Sequence, residues 1–179
     1  MSKNILVISA SLRNGSNSDM LADEFMRGAL ESGNKAEKIT LRGKSINFCK
    51  GCLACQKTGK CVINDDMAEI LPKMQQAYVI CFASPVYFYD MCGQLKTFLD
   101  RTNPLFPAEY NFTDIYFLIT AADTEQSASE GPLKGLQGWI DCFENAGLKG
   151  VVCGLGAEKP GDVTSMSAMN EAYMLGKQA

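Results

Sequence analysis

Ile5-Leu6-Val7-Ile8-Ser9-Ala10-Ser11-Leu12-Arg13-Asn14-Gly15-Ser16-Asn17-Ser18 is the stretch on which the fold turns. Its first four residues form an apolar run without alternation, the pattern of a strand covered on both faces. From Met20 the pattern changes. Leu21, Ala22, Phe25, Met26 and Ala29 recur at helical spacing, and Gly33-Asn34 supplies a stop. Strand, polar loop and helix start thus follow one another within a few residues. The first N–H groups of a helix lack intrahelical partners and lie at the positive end of its dipole, so such a loop can hold an anion. Hydroxyls and Arg13 add donors and charge. The same residues also suit a plain polar turn with Ser18 as the N-cap, and both readings remain open on this stretch alone.

Working outward, the rhythm repeats. Apolar runs predict strands over residues 4–8, 36–41, 78–83, 115–119 and 150–155. The second alternates and has a polar face, as an edge strand does. Helices are predicted over residues 19–32, 93–102, 132–145 and 165–177. A further helix, with stripe Met67, Ile70, Leu71 and Met74, is capped by Asp65-Asp66, a reading preferred over metal or acid–base work for that pair. Residues 124–130 read as a mobile polar run. Strand and helix alternate five times. This is an α/β fold, a flavodoxin-like three-layer sandwich on a five-stranded parallel sheet of order 2-1-3-4-5. The 179 residues suit a single domain over 1–179, with a cysteine-rich loop insertion over about 43–64.

Composition excludes several function classes. The 17 basic and 20 acidic residues leave a net charge of −3, with no basic footprint for nucleic acid. No signal-like segment or membrane-length apolar run occurs, so the expectation is a cytoplasmic protein without a membrane partner. There is no histidine, which removes Ser-His and Cys-His nucleophile pairs and any His-containing metal site. Of eight cysteines, Cys81, Cys92, Cys142 and Cys153 lie singly in or near apolar segments and read as buried, inert thiols. Cys49, Cys52, Cys55 and Cys61 form C-x2-C-x2-C-x5-C. Four thiolates suit an iron–sulfur cluster or tetrahedral zinc. Zinc sites more often use two separated C-x-x-C pairs, and the ferredoxin run has three residues, not five, before its last cysteine. A set of reduced thiols is the third alternative.

In an open α/β sheet, ligands bind beyond the carboxyl ends of the strands where the strand order reverses. Here that point lies between the first and third strands, and the loops that meet there are 9–18 and 84–90. The second, Ser84-Pro85-Val86-Tyr87-Phe88-Tyr89-Asp90, supplies a flat apolar wall. A phosphate cradle beside such a wall suits FMN. At least one of the three aromatics must instead face the core or an interface. Competing nucleotide motifs are missing. No G-x-x-x-x-G-K-[ST] occurs, and Gly154-Leu155-Gly156 follows the last strand rather than the first.

The loop 9–18, the cysteine loop, Cys61-Val62-Ile63-Asn64-Asp65-Asp66-Met67, Ser84-Pro85-Val86-Tyr87 and Gln94-Leu95-Lys96-Thr97-Phe98-Leu99-Asp100-Arg101 occur in this order. Together they resemble the NAD(P)H-dependent FMN reductase superfamily, and within it the iron–sulfur flavoproteins. The resemblance implies that Ser11, Arg13, Ser16, Asn17 and Ser18 surround an FMN phosphate. Pro85, Val86, Tyr87 and Phe88 would line the flavin ring, and Thr120 and Ala121 would close its third side. It maps a [4Fe-4S] cluster onto Cys49, Cys52, Cys55 and Cys61. It implies an FMN-dependent oxidoreductase that moves electrons from NAD(P)H or a protein donor, such as a ferredoxin-like protein, to a small acceptor. Homodimers or homotetramers are common in the family, and Trp139 and residues 104–110 are the segments offered for such an interface. Leu12 stands where the family often has Pro, and Ala121-Ala122 where it often has glycines. The alternative is a non-enzymatic flavodoxin-like or iron–sulfur electron carrier. It would show flavin reduction by a redox partner without NAD(P)H turnover.

Overall fold

The computed structural model describes residues 2–179; Met1 lies outside the described residues. Strand β1 (Asn4–Ser9) is buried from Ile5 onward on both faces, as its unbroken apolar run requires. Helix α1 (Asn17–Glu31) returns the chain to β2 (Lys35–Thr40), which among the described residues pairs only with β1, in parallel. Next come α2 (Ala54–Thr58), α3 (Met67–Gln76), β3 (Val79–Tyr87), β4 (Asp90–Met91) and α4 (Gly93–Asp100). The chain ends with β5 (Asp114–Ala121), α5 (Glu130–Ile140), β6 (Gly147–Leu155) and α6 (Ser167–Gln178). Five parallel strands run in the order β2-β1-β3-β5-β6. This is the expected sheet order, with β5 and β6 as its fourth and fifth strands. The sixth strand, β4, was not expected.

Two apolar cores fill the layers on either side of the sheet. Leu6, Ile8, Ile80, Phe82, Phe117 and Ile119 face residues of α3, α4 and α5. Ile5, Val7, Val79, Cys81 and Leu118 face α1 and α6. Alternate residues of each strand enter opposite cores, the period of two that a pleated strand imposes.

Several boundaries differ from the sequence reading for identifiable reasons. β3 continues past Ala83 because Val86 and Tyr87 pair antiparallel with Met91 and Asp90. The two residues between them, Phe88 and Tyr89, have φ of 51° and 60°. Positive φ at both centres of a two-residue hairpin is the primed-turn geometry, ordinarily signalled by Asn-Gly, so two aromatics concealed it. α2 forms inside the expected loop. Residues 126–129 of the expected mobile run form a 3₁₀ turn with Ala128 and Ser129 buried. α5 stops at Ile140, which leaves Cys142 exposed rather than buried. Cys81 and Cys92 are buried as expected, and Cys153 is half-buried. Trp139 packs inward, stacked on Phe112 and edge-on to Phe82, and its Nε1 donates to Thr102 Oγ1 at 2.8 Å. Trp139 is thus half-buried, and its indole is tied to Thr102, just past α4, and to the core.

Candidate functional site

Parallel strands end together, so register sets which side chains meet at the carboxyl edge. Ser9 of β1 lies abreast of Ala83, and Pro85 of β3 abreast of Thr120 of β5. The loop 10–16, the β3–β4 hairpin and the end of β5 therefore share one edge.

At this edge α1 begins. Its N-cap is Ser16, not Ser18. Ser16 has extended backbone (φ −71°, ψ 148°), and its Oγ accepts from the Asp19 N–H at 3.2 Å. Asn17 and Ser18 are the first two helical residues, so their N–H groups have no intrahelical acceptor. The hydroxyls of Ser9 and Ser18 are fully buried and have no hydrogen-bond partner among the described residues. Buried hydroxyls rarely stay unpaired. With the free N–H groups they make a cradle that fits an anionic group. Ser11 Oγ accepts from the Arg13 N–H at 3.3 Å, and the Arg13 side chain is exposed, with Nη1 3.4 Å from Glu158 O.

Asn17 differs from the others. Its Nδ2 donates to Ala157 O (3.1 Å) and Lys159 O (2.9 Å). Its Oδ1 accepts from the N–H groups of Gly161 (2.9 Å) and Val163 (3.3 Å). The amide is committed to the loop between β6 and α6, so only its backbone is free to meet an anion. Pro85 and Val86 are half-buried, Tyr87 is exposed, and Thr120 and Ala121 are buried at the end of β5. Phe88 is fully exposed at 102% and projects from the hairpin, so within this chain it lines no wall. The hairpin is held at its turn, where Tyr89 Oη donates to Asp123 Oδ2 at 2.9 Å.

The second feature is the cysteine loop. Cys49, Cys52, Cys55 and Cys61 line one pocket with Arg101 and Ile63. Cys55 is buried, Cys61 half-buried, and Cys49 and Cys52 exposed. Burial, then the nearby charges of Cys61, Cys49 and Cys52, push the Cys55 thiol up. Among the described residues, no three Cys, Asp or Glu side chains are gathered so as to hold a metal ion. The arrangement therefore supports neither a tetrahedral zinc nor the expected [4Fe-4S] cluster; Cys49, Cys52, Cys55 and Cys61 match a four-iron cluster only in the kind and number of their donors. Arg42 Nη1 donates to Arg13 O at 3.1 Å, and Leu12 and Phe48 line one groove with Gly93 and Thr97. The start of the cysteine loop therefore borders the anion cradle.

The pairing of Asp65 with Arg101 escaped the sequence reading. Asp66 accepts from the Ser45 N–H at 2.6 Å and makes no side-chain cap. Asp65 does accept from the Met67 N–H at 3.2 Å, but its main partner is Arg101, at 2.6 and 2.9 Å, with both side chains at most 2% exposed. Burial alone would raise the Asp65 carboxyl. The Arg101 guanidinium, with the Asn47 and Met67 N–H groups, overrides burial and holds it well below the usual carboxylate range. A depressed carboxylate stabilises the fold above its unfolded-state pKa, and that contribution is lost as pH falls through the folded-state value. Asp65→Asn should therefore cost about 3–5 kcal/mol at neutral pH, the usual loss on breaking a buried pair. Below about pH 4 the wild-type stability should fall toward that of the variant, whose own curve is flatter. Denaturant melts across pH check this. A constant gap between the two proteins down to low pH would show that Asp65 is not the titrating group.

Residues 3–130 match the family described as NADPH-dependent FMN reductase. The chain belongs to that family. It is 43% identical over 101 residues to an iron–sulfur flavoprotein of Methanocaldococcus jannaschii, a match covering 56% of this chain and 52% of that protein. The chain thus spans about half the length of the iron–sulfur flavoproteins it matches. It is 30% identical over 172 residues to Bacillus subtilis YwqN, which is named for NAD(P)H-dependent, FMN-containing oxidoreductase character; 89% of this chain and 88% of that protein are covered. Among solved structures, an NAD(P)H:quinone oxidoreductase from Methanothermobacter marburgensis superposes with a TM-score of 0.78 at 18% identity, covering 99% of this chain and 96% of that one. At that identity the likeness speaks for the FMN reductase family member's fold alone. No helix among the described residues is long and apolar enough to cross a membrane.

Proposed function

We propose that this FMN reductase family member is an FMN-dependent oxidoreductase that passes electrons from NAD(P)H, or from a protein donor, to a small acceptor such as a quinone or flavin. The observation that carries the reading is the anion cradle at the switch point. Two buried, unpartnered hydroxyls and the open first turn of α1 lie beside the half-buried Pro85-Val86 wall. Ser11, Ser16, Ser18 and the backbone of Asn17 would hold the phosphate, with Arg13 as a mobile counter-charge. Pro85, Val86 and Tyr87 would face the ring, and Thr120 and Ala121 its far edge. FMN bound there supplies hydride acceptance and one- or two-electron delivery, while the protein orients the ring and admits the partner. With no histidine in the chain, we assign no side chain to acid–base catalysis.

The test is an anaerobic titration of the FMN-loaded protein with NADH and with NADPH, followed at the flavin absorbance. Bleaching by either, and reoxidation by a quinone, is the expected result. No bleaching by either sinks the reductase reading in favour of an electron carrier.

A second reading, resting on the kind and number of its donors, is that the cysteine pocket holds an iron–sulfur cluster which exchanges single electrons with the flavin. Cys49, Cys52, Cys55 and Cys61 would be its ligands. All four line one pocket, and the start of their loop borders the cradle. Iron and sulfide assays on anaerobically purified protein decide it, and flavin bands without iron would reject the cluster.

A further inference from the structure

We propose that Arg101 is the positioning residue of the cysteine loop: one buried guanidinium fixes both ends of the loop and so sets how the four thiols stand. By sequence it is an ordinary cation after the last turn of α4, where the dipole welcomes one. In the structure its side chain is 0% exposed. Two of its N–H groups fork onto the Asp65 carboxylate. Nη1 also donates to Asn47 O at 2.7 Å, and Nη2 lies 3.5 Å from Ile63 O. Asn47 precedes Cys49 by two residues, and Ile63 follows Cys61 by two.

The two ends of the loop are also laced to each other. Asp65 accepts from the Asn47 N–H at 2.9 Å and from its Nδ2 at 3.1 Å. The Asp66 N–H donates to Ser45 O at 3.1 Å. Arg101 bolts this lacing to α4. It also forms part of the wall of the cysteine pocket, where Cys61 lies within reach of its charge. Its Nε is buried without a partner among the described residues.

A buried ion pair is a weak device for stability, since desolvation consumes much of the attraction. Arginine is needed here for geometry. A lysine cannot fork onto a carboxylate and also reach two carbonyls on different segments. The clamp itself stands without any metal. Only its consequence for cluster content rests on the second reading above.

The experiment compares the wild-type protein with Arg101→Lys and with the double variant Arg101→Met/Asp65→Leu. The single change Arg101→Met would strand a buried carboxylate and could unfold the chain, whereas removing both charges is often tolerated. Three readouts are taken: FMN per chain, the rate of tryptic cleavage at Lys50, Lys57 and Lys60, and iron per chain. FMN content close to wild type certifies that the domain is folded. The expected result is loop cleavage faster by on the order of tenfold in both variants, as for a locally opened segment. Any iron present should fall with it. Wild-type cleavage rates in a folded double variant would overturn the clamp. Iron-free wild-type protein would overturn the cluster reading alone and leave the clamp to the cleavage rates.

Discussion

Asn17→Ala should lower the melting temperature by about 6–12 °C and release most of the FMN. The side chain saturates its hydrogen-bonding capacity between two segments about 140 residues apart in sequence, at 6% exposure. Truncation leaves four backbone groups of the loop 157–163 without their partner. Each unpaired buried group costs about 1–3 kcal/mol, partly recovered where water enters. A net loss near 3 kcal/mol corresponds to that shift for a chain of this length. The effect on FMN follows from position. Asn17 is the first residue of α1, whose open N–H groups would meet the phosphate, so slack in the buttress becomes slack in the cradle. Asn17→Asp separates the two contributions. It keeps the oxygen that accepts from the Gly161 and Val163 N–H groups, faces Ala157 O and Lys159 O with a carboxylate, and would set a negative charge beside the proposed phosphate. It should therefore weaken FMN at least as much as Asn17→Ala, and more so at low ionic strength. Arg13→Ala combined with Ser16→Ala should weaken FMN binding with the fold intact, because Arg13 is exposed and Ser16 caps a single turn. Calorimetric melts and flavin titrations of the apoprotein check all three. Wild-type melting and affinity in Asn17→Ala would place the support of the cradle elsewhere.

The contrast between Asn17 and Ser16 shows what a sequence can and cannot disclose here. The sheet order was legible because long-range information is written locally. Unbroken apolar runs mark buried strands, and a helix between each pair forces parallel crossovers. The meeting of the loops 9–18 and 84–90 followed from that order alone. Within the first loop, the cap could be assigned only to within two residues. Ser16 and Ser18 are chemically equivalent, and backbone angles select between them. What stayed hidden depends on tertiary partners. Nothing near Asn17 announces the loop 157–163, and nothing near Arg101 announces Asn47 or Ile63. The hairpin at Phe88-Tyr89 stayed hidden for another reason. Its turn puts aromatics where glycine or asparagine is the rule, and α5 and Asp123 hold it there from outside. Strain of that kind, next to the proposed phosphate cradle, is consistent with a site rather than a scaffold.

Gly28 and Gly176 carry large expected stability effects, and they are reciprocal. A Cβ on Gly28 would lie 2.1 Å from Tyr173 O, and one on Gly176 would lie 1.9 Å from Phe25 O. α1 and α6 thus approach backbone to backbone, each offering a glycine to the other. In both cases the obstacle is a carbonyl within a helix and not a flexible side-chain end, so relief requires the helices to part. Overpacking ordinarily costs about 1–3 kcal/mol, and with no side chain able to yield, the upper end applies. Gly176→Ala should therefore melt roughly 6–12 °C lower than wild type, and Gly28→Ala nearly as much. Their sum should not be additive, since the first methyl already forces the separation that the second needs. Gly138→Ala is the control. It lies on the exposed face of α5 with nothing within 4 Å of its Cβ, so helix propensity alone acts and the change should stabilise by about 0.5–1 kcal/mol. Thermal melts of the three single variants and the Gly28/Gly176 double variant decide the matter. The close packing of α1 on α6 would be refuted by a Gly176→Ala protein that melts with the wild type. The consequence reaches the cradle, because the helix that α6 pins is the one whose first turn forms it. FMN affinity should fall in Gly176→Ala even at temperatures where the protein remains fully folded.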